Sequence, residues 1–165
     1  GSVIRPLVKE VFGSEFDDED NGHLSFPKRV VGHTQKTQYL FRINKGYLDL
    51  GKDVNDQVPK EERRIPFENL VYIGDGPTDV PCFAVMSENG GRTVAVYDPI
   101  KPSSFESGMQ LRKAHRVDEL AEADYREGSH LRRVLGYMIR EIADQILYKE
   151  QRQIDERVIP APRHG

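Results

Sequence analysis

The chain has 165 residues, which is enough for one domain with a hydrophobic core and too few for two ordinary ones. Hydrophobic residues make up 37% and charged residues 31%, a balance typical of soluble proteins rather than fibrous or membrane proteins. No apolar run approaches the roughly 20 residues of a transmembrane helix. The net charge of −3 is small and evenly spread, so we expect neither nucleic acid nor a membrane as a partner.

Cysteine usage and the chain ends complete this first outline. Cys82 is the sole cysteine, so it has neither a partner for an internal disulfide nor a second thiol for a zinc pair. This suits a reducing compartment, and because no signal peptide is visible we expect a cytoplasmic protein. Gly1-Ser2 reads like the remnant of a cleaved expression tag. We therefore place the domain at residues 3–155 and a disordered tail at 156–165.

The first elements in chain order are a short helix and a hairpin. Apolar spacing favours a helix over residues 3–11. A strand over 11–16 follows, and the acidic residues 17–20 read as a solvated turn. Asn21-Gly22 supports positive φ at both turn centres. The sequence therefore predicts a β-hairpin, with residues 23–26 as its return strand.

Strands and helices alternate through the rest of the chain, which is typical of an α/β fold. Thr34 is a candidate N-cap for the first of these helices, and Ser129 for the last. Uninterrupted apolar runs indicate strands that are buried on both faces of a parallel sheet. The predicted elements are a helix over 35–48, a polar loop over 52–64, a strand over 69–73, a helix from 78 or 79 to 88, a strand over 92–97, a loop over 99–104, a helix over 105–114 and a helix over 129–149.

The loop of residues 74–79 directly follows the predicted strand 69–73. Asp75 would therefore lie at the carboxyl end of a parallel strand, where open α/β sheets build their sites. Its neighbours Gly74 and Gly76 permit unusual backbone angles and the close approach of a ligand. Position and chemistry together make this loop the leading candidate for a functional site.

A second carboxylate, Asp79, lies at the start of the next helix. Two carboxylates held close together repel each other unless a cation lies between them. Magnesium prefers carboxylates, waters and phosphate oxygens as its ligands. The loop therefore suits a Mg²⁺ site that holds a phosphoryl group, although it also suits a simple turn in which Asp79 favours the helix N-terminus.

Residues 70–83, an apolar strand followed by Gly-Asp-Gly-Pro-Thr-Asp, resemble the fourth motif of the haloacid dehalogenase-like (HAD) hydrolase superfamily. In that family the first aspartate of the motif binds Mg²⁺ and the second supports the metal shell. The resemblance assigns these roles to Asp75 and Asp79, with Gly74, Gly76 and Thr78 completing the site loop. It extends over residues 11–137 and is weak beyond residue 97.

The resemblance also implies a catalytic lysine. Lys36, near the start of the predicted helix 35–48, matches the third motif, whose lysine neutralises the charge of the nucleophile and the phosphate. A basic group facing the same sheet edge is physically suited to this work. Lys28 and Lys45 remain alternatives for the role. Asp98, after the second strand, either lies near the site or caps a turn with Pro99.

The family's nucleophile is missing from this sequence. HAD phosphatases use an aspartate in a DxDx[TV] motif after their first strand, and neither that motif nor the second motif, a Ser or Thr after a strand, is present. Both would precede residue 3. The resemblance therefore implies a Rossmann-like core, a mostly parallel sheet flanked by helices, that is incomplete at its N-terminal side. A preceding segment or another chain would complete the sheet.

These observations predict a function in outline. The chain is expected to be the C-terminal portion of a Mg²⁺-dependent phosphohydrolase, similar to the phosphoserine phosphatase-like branch and acting on a small phosphomonoester. Covalent catalysis needs a nucleophile within reach of phosphorus, so this portion should be inactive alone. The alternative is a noncatalytic HAD-like module that binds a phosphorylated ligand or a protein partner.

Overall fold

The computed structural model describes residues 10–18 and 24–157, which form a mixed α/β structure. Its elements in chain order are β1 (Glu15–Asp18), β2 (Leu24–Arg29), α1 (His33–Lys45), β3 (Val71–Gly74), α2 (Val80–Glu88), β4 (Arg92–Tyr97), α3 (Pro102–Lys113), β5 (Glu119–Glu122) and α4 (His130–Arg157). Short 3₁₀ turns lie at Lys60–Glu62, Phe67–Asn69 and Pro77–Asp79. The predicted class, a parallel sheet flanked by helices, is confirmed in this general form.

The predicted hairpin is present as a strand pair. β1 pairs antiparallel with β2, with irregular register on both sides of Phe16. The turn at Asn21-Gly22 lies outside the described residues. β1 includes Asp17 and Asp18, so the prediction that these two residues belong to a solvated turn is wrong.

The main sheet has three parallel strands in the order β3-β4-β5. β4 is central, and its bounds are those predicted from the sequence. β5 was not predicted at all. Its register on β4 is fixed by Asp118, the residue before β5. Thr93 of β4 donates from its backbone N–H and its hydroxyl to Asp118 Oδ2, at 2.7 and 2.9 Å.

Both faces of this sheet are covered, as its apolar strands predict. Successive side chains of a strand point to opposite faces. Ala95 of β4 therefore packs with Phe83 of α2 and Leu111 of α3 on one face. Val94 and Val96 pack against α4 on the other, in a cluster completed by Ala121, Leu131 and Met138.

Helix α1 packs beside α2 rather than on the centre of the sheet. Leu40 joins a buried cluster with Phe67, Cys82 and Met86. The helix spans His33–Lys45, so the predicted N-cap at Thr34 and the predicted end at residue 48 are wrong. The N-cap is Gly32, and the chain leaves the helix at Gly46, whose φ of 74° is the left-handed conformation that glycine adopts readily.

The last two helices are longer than predicted. α3 begins at Pro102, which suits a first helical turn because its missing N–H needs no partner there. Ser129 caps α4 as predicted, accepting the Arg132 N–H at 3.2 Å, but the helix continues past residue 149 to Arg157. Among the described residues no helix is both long and apolar enough to cross a bilayer.

Three further predictions fall wholly or partly outside the described residues. Gly1-Ser2 and most of the predicted helix 3–11 lie there, and residues 10 and 11 are not helical. Of the predicted tail 156–165, the first two residues belong to α4 and the rest lie outside.

Candidate functional site

The 74–79 loop leaves the carboxyl end of β3 as the sequence predicts. Gly74 is the last residue of the strand, and Pro77–Asp79 form a 3₁₀ turn that leads directly into α2. Asp75 and Thr78 are exposed. Asp79, in contrast, is only 2% exposed. The two predicted site carboxylates are therefore placed differently, one facing solvent and one inside the protein.

The buried Asp79 carboxylate accepts hydrogen bonds at both of its oxygens. Lys36 Nζ donates to Oδ1 at 2.8 Å, and the Tyr72 hydroxyl donates to the same oxygen at 2.6 Å. The backbone N–H of Asp75 donates to Oδ2 at 3.0 Å. A buried charge is costly unless it is paired and hydrogen-bonded. Asp79 meets both conditions, and it ties α1, β3 and the loop together.

The protonation states of this cluster follow from its contacts. Burial alone would raise the pKa of the Asp79 carboxyl, but hydrogen bonds from Lys36 and Tyr72 outweigh it and lower that pKa below its ordinary value. The hydrogen bond to Asp79 raises the pKa of Lys36. Burial, together with the same carboxylate, raises the pKa of Tyr72. At neutral pH the cluster is thus carboxylate, ammonium and protonated phenol.

The two glycines of the loop, Gly74 and Gly76, differ in how closely other atoms approach them. Neither glycine has a positive φ, and Gly76 is fully extended at φ −178°. A Cβ at Gly74 would lie 2.7 Å from Cβ and Cγ of Asp79, whereas a Cβ at Gly76 would meet no atom within 4 Å. Close approach is therefore required at Gly74, and the group that approaches is the Asp79 side chain rather than a ligand.

Of the two candidate lysines whose side chains the structure describes, Lys36 is the one that lies at the loop. Its side chain is 32% exposed and reaches Asp79 from 43 positions earlier in the chain. Lys45 instead donates to the backbone carbonyls of Val54 and Asp56, at 2.6 and 2.7 Å. The side chain of Lys28 lies outside what the structure describes.

A groove of about 620 Å³ runs along β3 to the loop. Consecutive residues from Leu70 to Gly74 line it, including Tyr72 and Ile73, which point to opposite faces of the sheet. The groove therefore follows the edge of β3 that β4 does not occupy. Its other walls are formed by Glu10, Phe12, Val31, Lys36, Tyr39, Leu40, Ile43, Asp75, Asp79, Val96 and Tyr125.

Asp98 occupies the end of β4 and belongs to a turn, which is one of the two roles that the sequence allows. Its Oδ1 accepts the backbone N–H of Ile100 at 3.0 Å, and its own N–H donates to Ser104 Oγ at 3.0 Å. These contacts engage the carboxylate locally.

Tyr72 is the site residue that sequence reasoning missed. It lies in the middle of an apolar strand, and an aromatic residue in such a run is ordinarily read as core. The available signal was its position: Tyr72 and Gly74 share one face of β3, which is the face toward α1 and α2. A hydroxyl two residues before a functional loop is therefore within reach of that loop.

Few side chains at this strand end could bind a metal ion. Among residues 10–18 and 24–157 no three His, Cys, Asp or Glu side chains are grouped to hold a metal ion. Asp75 presents an exposed carboxylate at the end of the groove, while both oxygens of Asp79 are occupied by donors. Mg²⁺ commonly takes only one or two protein carboxylates, with waters and phosphate oxygens as its other ligands. The residues fit an ion held directly by Asp75, with Asp79 behind it.

Comparisons with known proteins leave the function open. No family model and no solved structure matches the chain. An uncharacterized protein of Borreliella burgdorferi is 34% identical over 148 residues, which cover 79% of this chain and 50% of that protein. The chain thus spans about half the length of this relative. The relative's name states no activity.

Proposed function

We propose that this chain forms the metal and lysine side of a Mg²⁺-dependent phosphohydrolase with a HAD-like core, acting on small phosphomonoesters. The observation that carries the proposal is the pairing of Lys36 with Asp79 beside the exposed Asp75. Three groups that the resemblance assigns to one site, from two distant parts of the sequence, meet at the carboxyl end of one parallel strand. This is the end at which α/β sheets bind ligands.

Each residue of this cluster has a distinct task in phosphoryl transfer. Asp75 would hold Mg²⁺, which when bound supplies charge stabilisation to phosphate oxygens. Lys36 carries three donors, of which one is directed at Asp79, and its partly exposed ammonium lines the groove. It is placed to neutralise an anionic substrate at that end. Asp79 orients both groups through its two oxygens.

The nucleophile would come from outside the described residues, on a strand that pairs with the open edge of β3. Neighbouring strands lie about 4.8 Å apart, so the carboxyl end of a parallel strand there would stand next to Asp75. Parallel sheets are normally buried, and among the described strands only β4 pairs with β3, which leaves the edge lined by Val71 and Ile73 for a further strand. The length of the relative, about twice the matched region, is consistent with such a segment.

Hydrogen exchange tests this strand pairing directly. The Leu70 carbonyl accepts the Arg92 N–H from β4, so by alternation the Val71 and Ile73 amides face the open edge. In this chain alone, the Ile73 amide should exchange about 100-fold faster than that of Val94 in central β4. In a longer protein that includes the preceding half, both should be protected. Equal exchange of Ile73 in the two proteins would contradict strand pairing at this edge.

The activity itself is tested on a protein that includes the preceding residues. The sequence upstream should contain a DxDx[TV] motif, and the protein should hydrolyse p-nitrophenyl phosphate only with Mg²⁺. Lys36→Met and Asp75→Asn should each abolish turnover, while Lys45→Met should not. If no such motif lies upstream, the phosphatase proposal fails. The alternative, a noncatalytic module that binds a phosphorylated ligand or a protein partner, would then take its place.

A further inference from the structure

We propose that Tyr72 is a positioning residue of this site, whose hydroxyl orients Asp79 and through it the Asp75 backbone and the Lys36 ammonium. The proposal rests on the proposed function and extends it to a residue that the fourth-motif resemblance does not assign. It also makes the strand, and not only the loop, part of the metal-binding apparatus.

One oxygen of Asp79, Oδ1, is shared by two donors of different rigidity. Tyr72 and Lys36 both donate to Asp79 Oδ1, at 2.6 and 2.8 Å. Tyr72 is the shorter contact, and it comes from β3, an element held by its pairing with β4. Lys36 reaches the oxygen on a long side chain that is partly exposed. The tyrosine hydroxyl is therefore the more rigidly placed of the two donors.

The other oxygen of the Asp79 carboxylate, Oδ2, connects Tyr72 to the loop. With Oδ1 held by Tyr72, the plane of the carboxylate is fixed, and Oδ2 accepts the Asp75 N–H at 3.0 Å. This bond sets the direction in which the chain leaves β3, and hence where the exposed Asp75 carboxylate lies. Groups behind a metal ligand commonly control metal affinity because they hold that ligand in place.

The ring and the hydroxyl of Tyr72 make different contacts. The ring of Tyr72 packs edge-on against Phe83, with centroids 5.5 Å apart, and borders the buried clusters on that face. A phenylalanine at this position would keep these contacts. The hydroxyl oxygen is the atom that reaches Asp79, so its removal tests positioning while leaving the packing in place.

The experiment is a Mg²⁺ titration of the chain and of its Tyr72→Phe variant, followed by the NMR shifts of the Asp75 and Gly76 amides. Tyr72→Phe should weaken Mg²⁺ binding about tenfold and, without metal, should speed exchange of the Asp75 amide. The matched control is Tyr97→Phe. It removes a hydroxyl that meets the Glu122 carboxylate at 3.4 Å on the neighbouring strands and should change neither reading.

The outcomes separate this inference from the proposed function. If the unaltered chain binds Mg²⁺ and Tyr72→Phe binds it equally well, the positioning role is overturned while the metal site stands. A purely structural role is recognised by a lower melting temperature with unchanged Mg²⁺ affinity, and it overturns the inference as well. If the unaltered chain shows no saturable response to Mg²⁺, the proposed function and its extension both fail.

Discussion

The carboxyl ends of β3 and β4 share a pattern and differ in how they use it. Each strand is followed at once by an aspartate, with a proline one or two residues later and then a helix. At β4 the Asp98 carboxylate accepts the Ile100 N–H and lies 3.7 Å from Lys101 Nζ. At β3, no hydrogen bond among the described residues involves the Asp75 carboxylate. The carboxylate that accepts a backbone N–H of the loop is that of Asp79.

The difference lies in which carboxylate accepts the backbone N–H at each strand end. An aspartate that closes its own turn is occupied, as Asp98 is. At β3 a second aspartate, Asp79, accepts the N–H of Asp75 and pairs with Lys36, while the Asp75 carboxylate stays exposed. The arrangement requires a residue without a side chain before it, which is Gly74 at β3. At β4 the bulky Tyr97 occupies the corresponding position.

The largest effect on stability is expected from Gly74→Ala. The added Cβ would lie 2.7 Å from two atoms of Asp79, so the carboxylate must move or the strand must shift. Such overpacking should cost about 3 kcal/mol of unfolding free energy, measurable by urea denaturation. Gly76→Ala is the matched control, since its Cβ meets nothing and its backbone is extended. Equal losses in the two variants would refute the close-approach role of Gly74.

A smaller loss is expected from Lys36→Met, which removes the cationic partner of a buried carboxylate. An exposed ion pair contributes about 0–1 kcal/mol to stability, whereas breaking a buried pair costs about 3–5 kcal/mol. The Lys36 side chain is about one-third exposed, so its loss should cost an intermediate amount, near 2 kcal/mol. Lys101→Met removes the corresponding pair at β4, whose side chains are 74% and 40% exposed. It should change stability by less than about 0.5 kcal/mol. A similar cost for both lysines would erase the distinction between the two strand ends.

The smallest effect lies at the opposite end of β3, where Lys149 of α4 donates to Glu68 at 2.6 Å. This bond lowers the pKa of Glu68 below its ordinary value of 4.5. Its stabilisation is therefore present above that value and is lost as the pH falls through the lower folded pKa. Glu68→Gln should cost under about 1 kcal/mol at pH 7 and nothing at pH 2. Unfolding curves at the two pH values measure this, and a cost that persists in acid would argue against the ion pair.

Sequence reasoning succeeded where local pattern decides structure. The run of β-branched residues in β4 gave that strand its correct bounds, and Ser129 marked the start of α4. It failed at β5, a strand of only four residues with a glutamate at each end. The register of β5 depends on Asp118 meeting Thr93, a contact between distant positions that no local pattern contains.

The same limit applies to the site. Asp75 could be singled out from the strand and loop that precede and contain it. The choice of Lys36 over Lys45 rested on a family resemblance, because their different contacts depend on how α1 packs beside α2. Tyr72 was missed since its ring satisfies the pattern of a core strand, while its hydroxyl serves a carboxylate beyond the strand's end. The contacts of Lys36, Lys45 and Tyr72 are determined by the packing between elements.

The measurement that tests the central claim most directly is a Mg²⁺ titration of Asp75→Asn beside Asp98→Asn. Both variants remove one negative charge from an aspartate at a strand end, so general electrostatic effects are matched. We expect the saturable amide shifts of the 74–79 loop to disappear in Asp75→Asn and to persist unchanged in Asp98→Asn. Unaltered Mg²⁺ binding in Asp75→Asn would contradict the assignment of the metal site to the exposed carboxylate that follows β3.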